Sequence, residues 1–273
     1  MKRDNACGKF FALLGVDFYR LFRSVSFYVV FGVYALFTLL NVLLSHVVNL
    51  LFTVSIDGED MLPGLNDIHA NTLFGNSISY GNLGLFLVIF FAIFLCSEFR
   101  ENTIRNKLTL GYSRTLVYFS SLAFTYIVTA MAVVLGCAIV AAAGIPMLGW
   151  AHTAQAMHYA FYALFALLPL VALVHTLSYG SKSFGITLGV GLPVIIVLPS
   201  IMSVLSMFAS DSVGIEWLTR IFFISLEEYI QLAIQFPEGA MSNLVLNVSL
   251  SYTLWTALFI VCGYFAFTRQ DIK

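Results

Sequence analysis

The sequence predicts an all-α integral membrane protein with six transmembrane helices, and three observations carry that expectation. Of its 273 residues, 60% are hydrophobic and only 10% charged, against about 25% charged in soluble domains; mean hydropathy is +0.93. The apolar residues gather into six blocks, each near the roughly 20 residues a helix needs to cross a bilayer. The Lys and Arg residues fall almost entirely on one side of those blocks. Residues 1–273 read as a single transmembrane domain.

The first element, over residues 8–25, is an amphipathic helix. Phe10, Phe11, Leu14, Phe18, Leu21 and Phe22 share one stripe, with Lys9, Arg20 and Arg23 opposite. Such a helix lies in the headgroup plane, aromatic face toward lipid and cations toward anionic lipid. No signal-peptide pattern precedes or follows the next block, so that block is expected to be retained.

The six spans are expected at about 27–47, 83–97, 116–143, 159–179, 184–207 and 245–267. The first runs on toward Phe52 and carries Asn41, Ser45, His46 and Asn49, a polar stripe that should face protein or water. The second is short unless it begins near Gly81 and Asn82. Between these two, residues 53–82 are polar and acidic (Asp57, Glu59, Asp60, Asp67), with Pro63-Gly64 as a turn signal.

Glu98–Arg114 is the one long polar run between two spans, expected as a helix over residues 98–112. Phe99, Thr103, Asn106 and Leu110 share one helical face, and Glu101 to Arg105 is an acid-before-base pair at i,i+4. Gly111 suits a C-cap, and Ser113 an N-cap for the next helix. Charged loops beside spans commonly do no more than set topology.

The fifth span is irregular, with Gly185, Gly189, Gly191, Pro193 and Pro199. Gly185-x-x-x-Gly189 permits close helix approach, and the prolines kink the helix. Residues 209–243 hold Trp217, Leu218, Ile221, Phe222, Leu226, Ile230 and Ile234 at helical spacing, ending at Pro237. They read as a half-buried external helix before the last span.

If both termini are inside, Lys2, Arg3, Lys9, Arg20, Arg23, Arg100, Arg105, Lys107, Arg114, Lys182, Arg269 and Lys273 are cytoplasmic, leaving outside only Arg220 of the 13 basic residues. The positive-inside rule then fixes the expected orientation.

Several chemistries find no residues. There is no phosphate-binding loop, no H-E-x-x-H, no G-x-S-x-G, and no charged residue in any span core. Cys7, Cys96, Cys137 and Cys262 show no ligand spacing, and His46, His69, His152, His158 and His175 are scattered. A net charge of −1 argues against a nucleic-acid partner. No cofactor is expected on this chain, and transport would draw its energy from elsewhere.

The order Glu98, Thr103-Ile104-Arg105-Asn106-Lys107-Leu108, Gly111, Ser113-Arg114 and Tyr118 resembles the coupling segment of bacterial ABC-2 type permeases, the membrane subunits of ATP-binding-cassette exporters. It departs at Asn102, where Gly is usual. The architecture is similar throughout, and the closing run Phe267–Lys273 is similar more weakly. The resemblance implies that residues 8–25 are a connecting helix touching an ATPase on a separate chain, which binds ATP and Mg. It implies a second membrane subunit, identical or related, with the fifth span near the dimer axis. Size and Phe-rich spans look most like permeases that export, or confer immunity to, amphipathic peptides such as phenol-soluble modulins and lantibiotics.

On that reading the ATPase-coupling residues are Glu98, Arg100, Glu101, Thr103, Arg105 and Arg114, with Lys107 solvated beside them. A path without charges would be lined by residues such as Asn41, Asn49, Phe90, Phe94 and Pro193, suiting an amphipathic peptide or lipid-like cargo. A channel-like or scaffold membrane protein, or an intramembrane enzyme, are the readings from other classes. ATPase co-purification tests the first, and turnover by the lone chain the second.

Overall fold

A computed structural model of the protein describes residues 6–52, 70–79, 81–149, 153–208 and 244–270. These residues are almost wholly helical, with no strand among them. In chain order they form α1 (Ala6–Arg23), α2 (Val25–Phe52), α3 (Ala70–Ser77), α4 (Leu83–Arg100), α5 (Thr103–Thr109), α6 (Arg114–Ile139), α7 (Ile145–Leu148), α8 (Thr153–Ser181), α9 (Phe184–Phe208) and α10 (Leu244–Arg269). The expected external helix at 209–243 lies outside the described residues. Among the described residues, five stretches are long and apolar enough to cross a bilayer: Val25–Leu50, Leu83–Arg100, Arg114–Leu148, Phe184–Ile201 and Ser249–Arg269. Within α8, Phe165–Ser181 adds a shorter apolar helix. This is a multi-pass helical membrane protein.

The centre of the bundle is α4. Its apolar residues run all round the helix, as a helix enclosed by others requires, and 61% of its membrane window is buried against 17% for α2 and for α9. Phe90, Phe91 and Phe94 form its core face. Phe90 packs edge-on to Phe27 and Phe31 of α2, and Phe94 stacks on Phe124 of α6 with centroids 5.1 Å apart. On another side α9 approaches through Gly191, where an added Cβ would lie 2.8 Å from Val88 Cγ1. Within the chain the close approach falls at Gly191, while Gly185 and Gly189 face outward with no side chain of another helix within 4 Å.

A second tight pair joins α8 to α10. Gly263 sits where a Cβ would collide with the Tyr118 and Thr176 hydroxyls. Those hydroxyls donate instead to the carbonyls of Ile260 (3.0 Å) and Phe259 (2.7 Å). Hydroxyls bonded to helix carbonyls satisfy themselves where water is absent.

The chain after α6 passes through one π-helical turn, Val140–Gly144, into α7, which ends at Gly149 with φ 71°. There Ala70, the start of α3, donates to the Gly149 carbonyl at 3.3 Å. A small core of Val42, Leu73, Phe74, Val140 and Leu148 closes that end of the bundle.

At the opposite end lie the termini of α4, α8 and α10, the starts of α2, α6 and α9, and both α1 and α5. Every described Lys and Arg is carried there: Lys9, Arg20, Arg23, Arg100, Arg105, Lys107, Arg114, Lys182 and Arg269. The described acids Asp17, Glu98 and Glu101 share that end.

Candidate functional site

The polar segment after α4 is two pieces, not the single helix expected over 98–112. α4 runs through to Arg100, so Glu98 belongs to its last turn. The chain then turns at Glu101 and Asn102, and Asn102 takes a left-handed conformation with φ 56°. Asn is among the few residues that adopt this geometry readily, as Gly does, so the departure from Gly at this position preserves the turn. The turn sets the seven-residue α5 at a new angle and separates Glu101 from Arg105. Their expected pair does not form: the Glu101 carboxylate lies 3.9 Å from both Arg20 and Arg100. The flanking caps are as expected. Gly111 has φ 86°, and the Ser113 hydroxyl accepts from the Leu116 amide at 3.2 Å.

Glu98 is the hub of a buried ionic cluster. Only 1% of the residue is exposed, and three helices donate to it. One carboxylate oxygen, Oε1, accepts from Arg20 of α1 and from Lys107 Nζ of α5 at 3.3 Å. The other, Oε2, accepts from the Tyr179 hydroxyl of α8 at 3.2 Å. Lys107 also donates to Asp17 Oδ1 at 2.7 Å, and the Arg20 guanidinium lies 5.2 Å above the centre of the Phe94 ring. Two acids and two bases thus neutralise one another away from water. Ions in such a place persist only when paired and hydrogen-bonded.

Lys107 therefore corrects the sequence reading. It is buried, not solvated, because α5 lies back against α1 and brings its ammonium between Asp17 and Glu98. Both carboxylates hold that ammonium in its charged form, raising its pKa against the opposing effect of burial. Burial, reinforced by repulsion from Glu98, pushes the Asp17 carboxyl up to about 6 despite the attraction of Lys107 and Arg20. Asp17 Oδ2 has no hydrogen-bond partner.

α1 also differs from a helix lying free in the headgroups. Leu13, Asp17 and Leu21, one turn apart, are buried against the bundle, with Phe18 edge-on to Phe124 of α6 at 5.2 Å. Phe11, Tyr19 and Phe22 face outward. Arg20 turns inward to Glu98 because a partner waits there. Asp17 went unread in the sequence, yet a signal existed: it is the single acid of α1 and falls between Leu13 and Leu21 at i±4. An acid on a helix's apolar stripe demands a buried cation.

The remaining expected coupling residues separate. Arg114 donates to the Thr268 and Gln270 carbonyls, at 2.8 and 2.7 Å, tying the start of α6 to the end of α10. Those carbonyls lack helical partners, and a cation suits them. Arg100, Glu101 and Arg105 are exposed, and Thr103 is half-buried at the start of α5.

The expected path residues do not come together. Phe90 and Phe94 are core packing, 0% and 4% exposed. Pro193 is on the outer side of α9. Asn41 spends an amide hydrogen on the Phe37 carbonyl one turn back, and Asn49 is half-buried farther along α2. These positions belong to separate faces because α4 is enclosed while α2 and α9 flank it.

Below Glu98 the polar residues continue inward. The Tyr179 ring stacks on the His175 imidazole, centroids 4.4 Å apart, and His175 Nε2 is 3.3 Å from the Ser121 hydroxyl. Both His175 and Tyr179 are fully buried. The cluster thus joins α1, α4, α5 and α8: Lys107 ties α5 directly to Asp17 of α1 and Glu98 of α4, and Glu98 carries the link on to Tyr179 of α8.

Comparison with curated proteins returns no match. One family model matches residues 69–273, a region holding Glu98, Lys107 and Tyr179 but not Asp17 or Arg20. By that match the chain belongs to the family described as Protein of unknown function (DUF2705).

Proposed function

We propose that this chain is the membrane-spanning permease subunit of an ABC-2 type exporter, working beside a second copy or a related permease and driven by an ATPase on a separate chain. The observation that carries the reading is α5. It is a short polar helix between two spans, braced from behind by the Asp17–Lys107–Glu98–Arg20 cluster. A push on its outer side is passed to α1, α4 and α8, which is what coupling to an external motor requires. Glu101, Arg105, Asn106 and Leu110 are exposed around it and offer the ATPase its contacts.

Gathering of the described cations at the α5 end supports a cytoplasmic position for that end and for both termini, in the bacterial cell membrane. The absence of charged residues from the span cores supports an amphipathic peptide or lipid-like cargo moved outward between two copies. The core role of Phe90 and Phe94 argues against a route through the single bundle.

Isolation of the intact protein from its native membrane should bring down an ATP-hydrolysing subunit. Glu101→Ala and Arg105→Ala should leave the permease folded yet loosen that subunit or uncouple hydrolysis from export. A charge lost from a desolvated interface costs roughly 2–5 kcal/mol. If no ATPase accompanies the protein and neither substitution changes anything, the chain is not such a permease.

A further inference from the structure

We propose that Asp17 is a proton-operated latch: ionised, it holds α5 against α1 through Lys107, and on taking up a proton it lets α5 swing away from α1. The charges set the condition. Asp17 and Glu98 balance Lys107 and Arg20, and Lys107 Nζ divides itself between Asp17 Oδ1 at 2.7 Å and Glu98 Oε1 at 3.3 Å. The second carboxylate oxygen, Asp17 Oδ2, is buried with no hydrogen-bond partner. It is the oxygen that ionisation leaves unsatisfied, and so the one open to a proton. The charged and titratable groups facing Asp17 are Lys107 from α5, Glu98 from α4, Tyr179 from α8 and Arg20 from α1 itself. α6 also packs along α1, but its one charged residue, Arg114, is spent on carbonyls of the residues at the end of α10.

A proton from solvent on Oδ2 removes one negative charge and breaks no covalent bond. Two cations then share one carboxylate, Glu98, whose Oε1 already accepts from both. An uncompensated charge in a buried place is costly, and one of the two cations has to leave. Arg20 is 20% exposed and lies 3.9 Å from Glu101, so its charge is partly relieved where it stands. The helix that carries it, α1, is held to the bundle by Leu13, Phe18 and Leu21. Lys107 is only 6% exposed, and its helix α5 is seven residues long, flanked by the left-handed residues Asn102 and Gly111. α5 is therefore the element that gives way, carrying its ammonium out to water. With its pKa pushed up to about 6, Asp17 goes from about 3% protonated at pH 7.5 to about 90% at pH 5. The same proton relieves the cost of a buried charge, so the fold as a whole is not weakened. The latch needs only the cluster and operates whether or not an ATPase docks on α5.

The full-length chain in mild detergent, in a background lacking Cys7, Cys96, Cys137 and Cys262, can carry spin labels at Ala12→Cys on α1 and Asn106→Cys on α5, both exposed positions. Double electron–electron resonance then reads the distance between the two helices. One short distance is expected at pH 7.5. A longer one should dominate at pH 5, its population rising roughly thirtyfold with a midpoint near pH 6. Asp17→Asn should show the longer distance at both pH values. The pair Asp17→Asn and Lys107→Gln leaves no ammonium to expel and should keep the short distance at both. His46→Gln, which removes a histidine of α2 that titrates in the same window, should respond as the wild type does. An unchanged wild-type distance, a pH response that survives in Asp17→Asn, or one abolished by His46→Gln would overturn the proposal. So would loss of helical circular dichroism over the same range, the mark of general acid unfolding.

Discussion

Lys107 is held by two carboxylates in a position that is 5% exposed, and its removal leaves Asp17 and Glu98 facing each other without a cation between them. Breaking a buried ion pair on one side costs roughly 3–5 kcal/mol, whereas an exposed cation is worth within about 0.5 kcal/mol. Lys107→Ala should therefore lower the unfolding midpoint in detergent by many degrees, and Arg105→Ala on the same short helix should not. Similar midpoints would mean that the cluster contributes nothing. Asp17 carries a pH prediction. An acid whose pKa is raised on folding binds its proton more tightly in the native state. Its protonation stabilises the fold at low pH, and that stabilisation is lost as pH rises from about 4 toward about 6. The groups facing it are Lys107, Glu98 and Arg20. The wild-type chain should gain stability between pH 7 and pH 5 relative to Asp17→Asn, which cannot titrate. Parallel pH profiles for the two would remove Asp17 from the account.

Among the elements, α9 packs within the chain through one glycine of several. Gly185 and Gly189 face outward, and the helix turns its Gly191 side to α4, where Val88 leaves no room for a Cβ. Overpacking a filled core costs typically about 1–3 kcal/mol. Gly191→Leu should destabilise the isolated chain by that order, while Gly189→Leu should leave its melting unchanged. A reversed order would place α9 on α4 by its other face. The same reasoning bears on α5, whose direction depends on a single left-handed residue. The i,i+4 pairing of Glu101 with Arg105 was a sound expectation for an unbroken helix, and Asn102 is what breaks it.

At the scale of the whole molecule, the described charged residues all lie at one end of the bundle, which makes its orientation testable. In a background lacking Cys7, Cys96, Cys137 and Cys262, single cysteines at 105 and 182 should resist an impermeant thiol reagent on intact cells and react after the membrane is opened. Cysteines at 60 and 228, outside the described residues, should react from outside at once. Labelling of position 105 from outside would invert the topology and remove the ATPase contact from the cytoplasmic side.

Hydropathy and charge order by themselves determined the helical class, six long helices, the amphipathic first helix and the caps at Gly111 and Ser113. These depend on local periodicity and on the chemistry of one or two neighbours, which a linear chain displays directly. The Asp17–Lys107 and Arg20–Glu98 pairs join residues 90 and 78 positions apart, and no local pattern states which distant charges meet. Only the tertiary structure decided that Lys107 is buried, that Phe90 and Phe94 are core, and that α9 packs through Gly191. The physical reason is common to all three. Apolar blocks of similar composition give each helix several faces it could bury, and the choice among them is made by the neighbours that arrive from far along the chain.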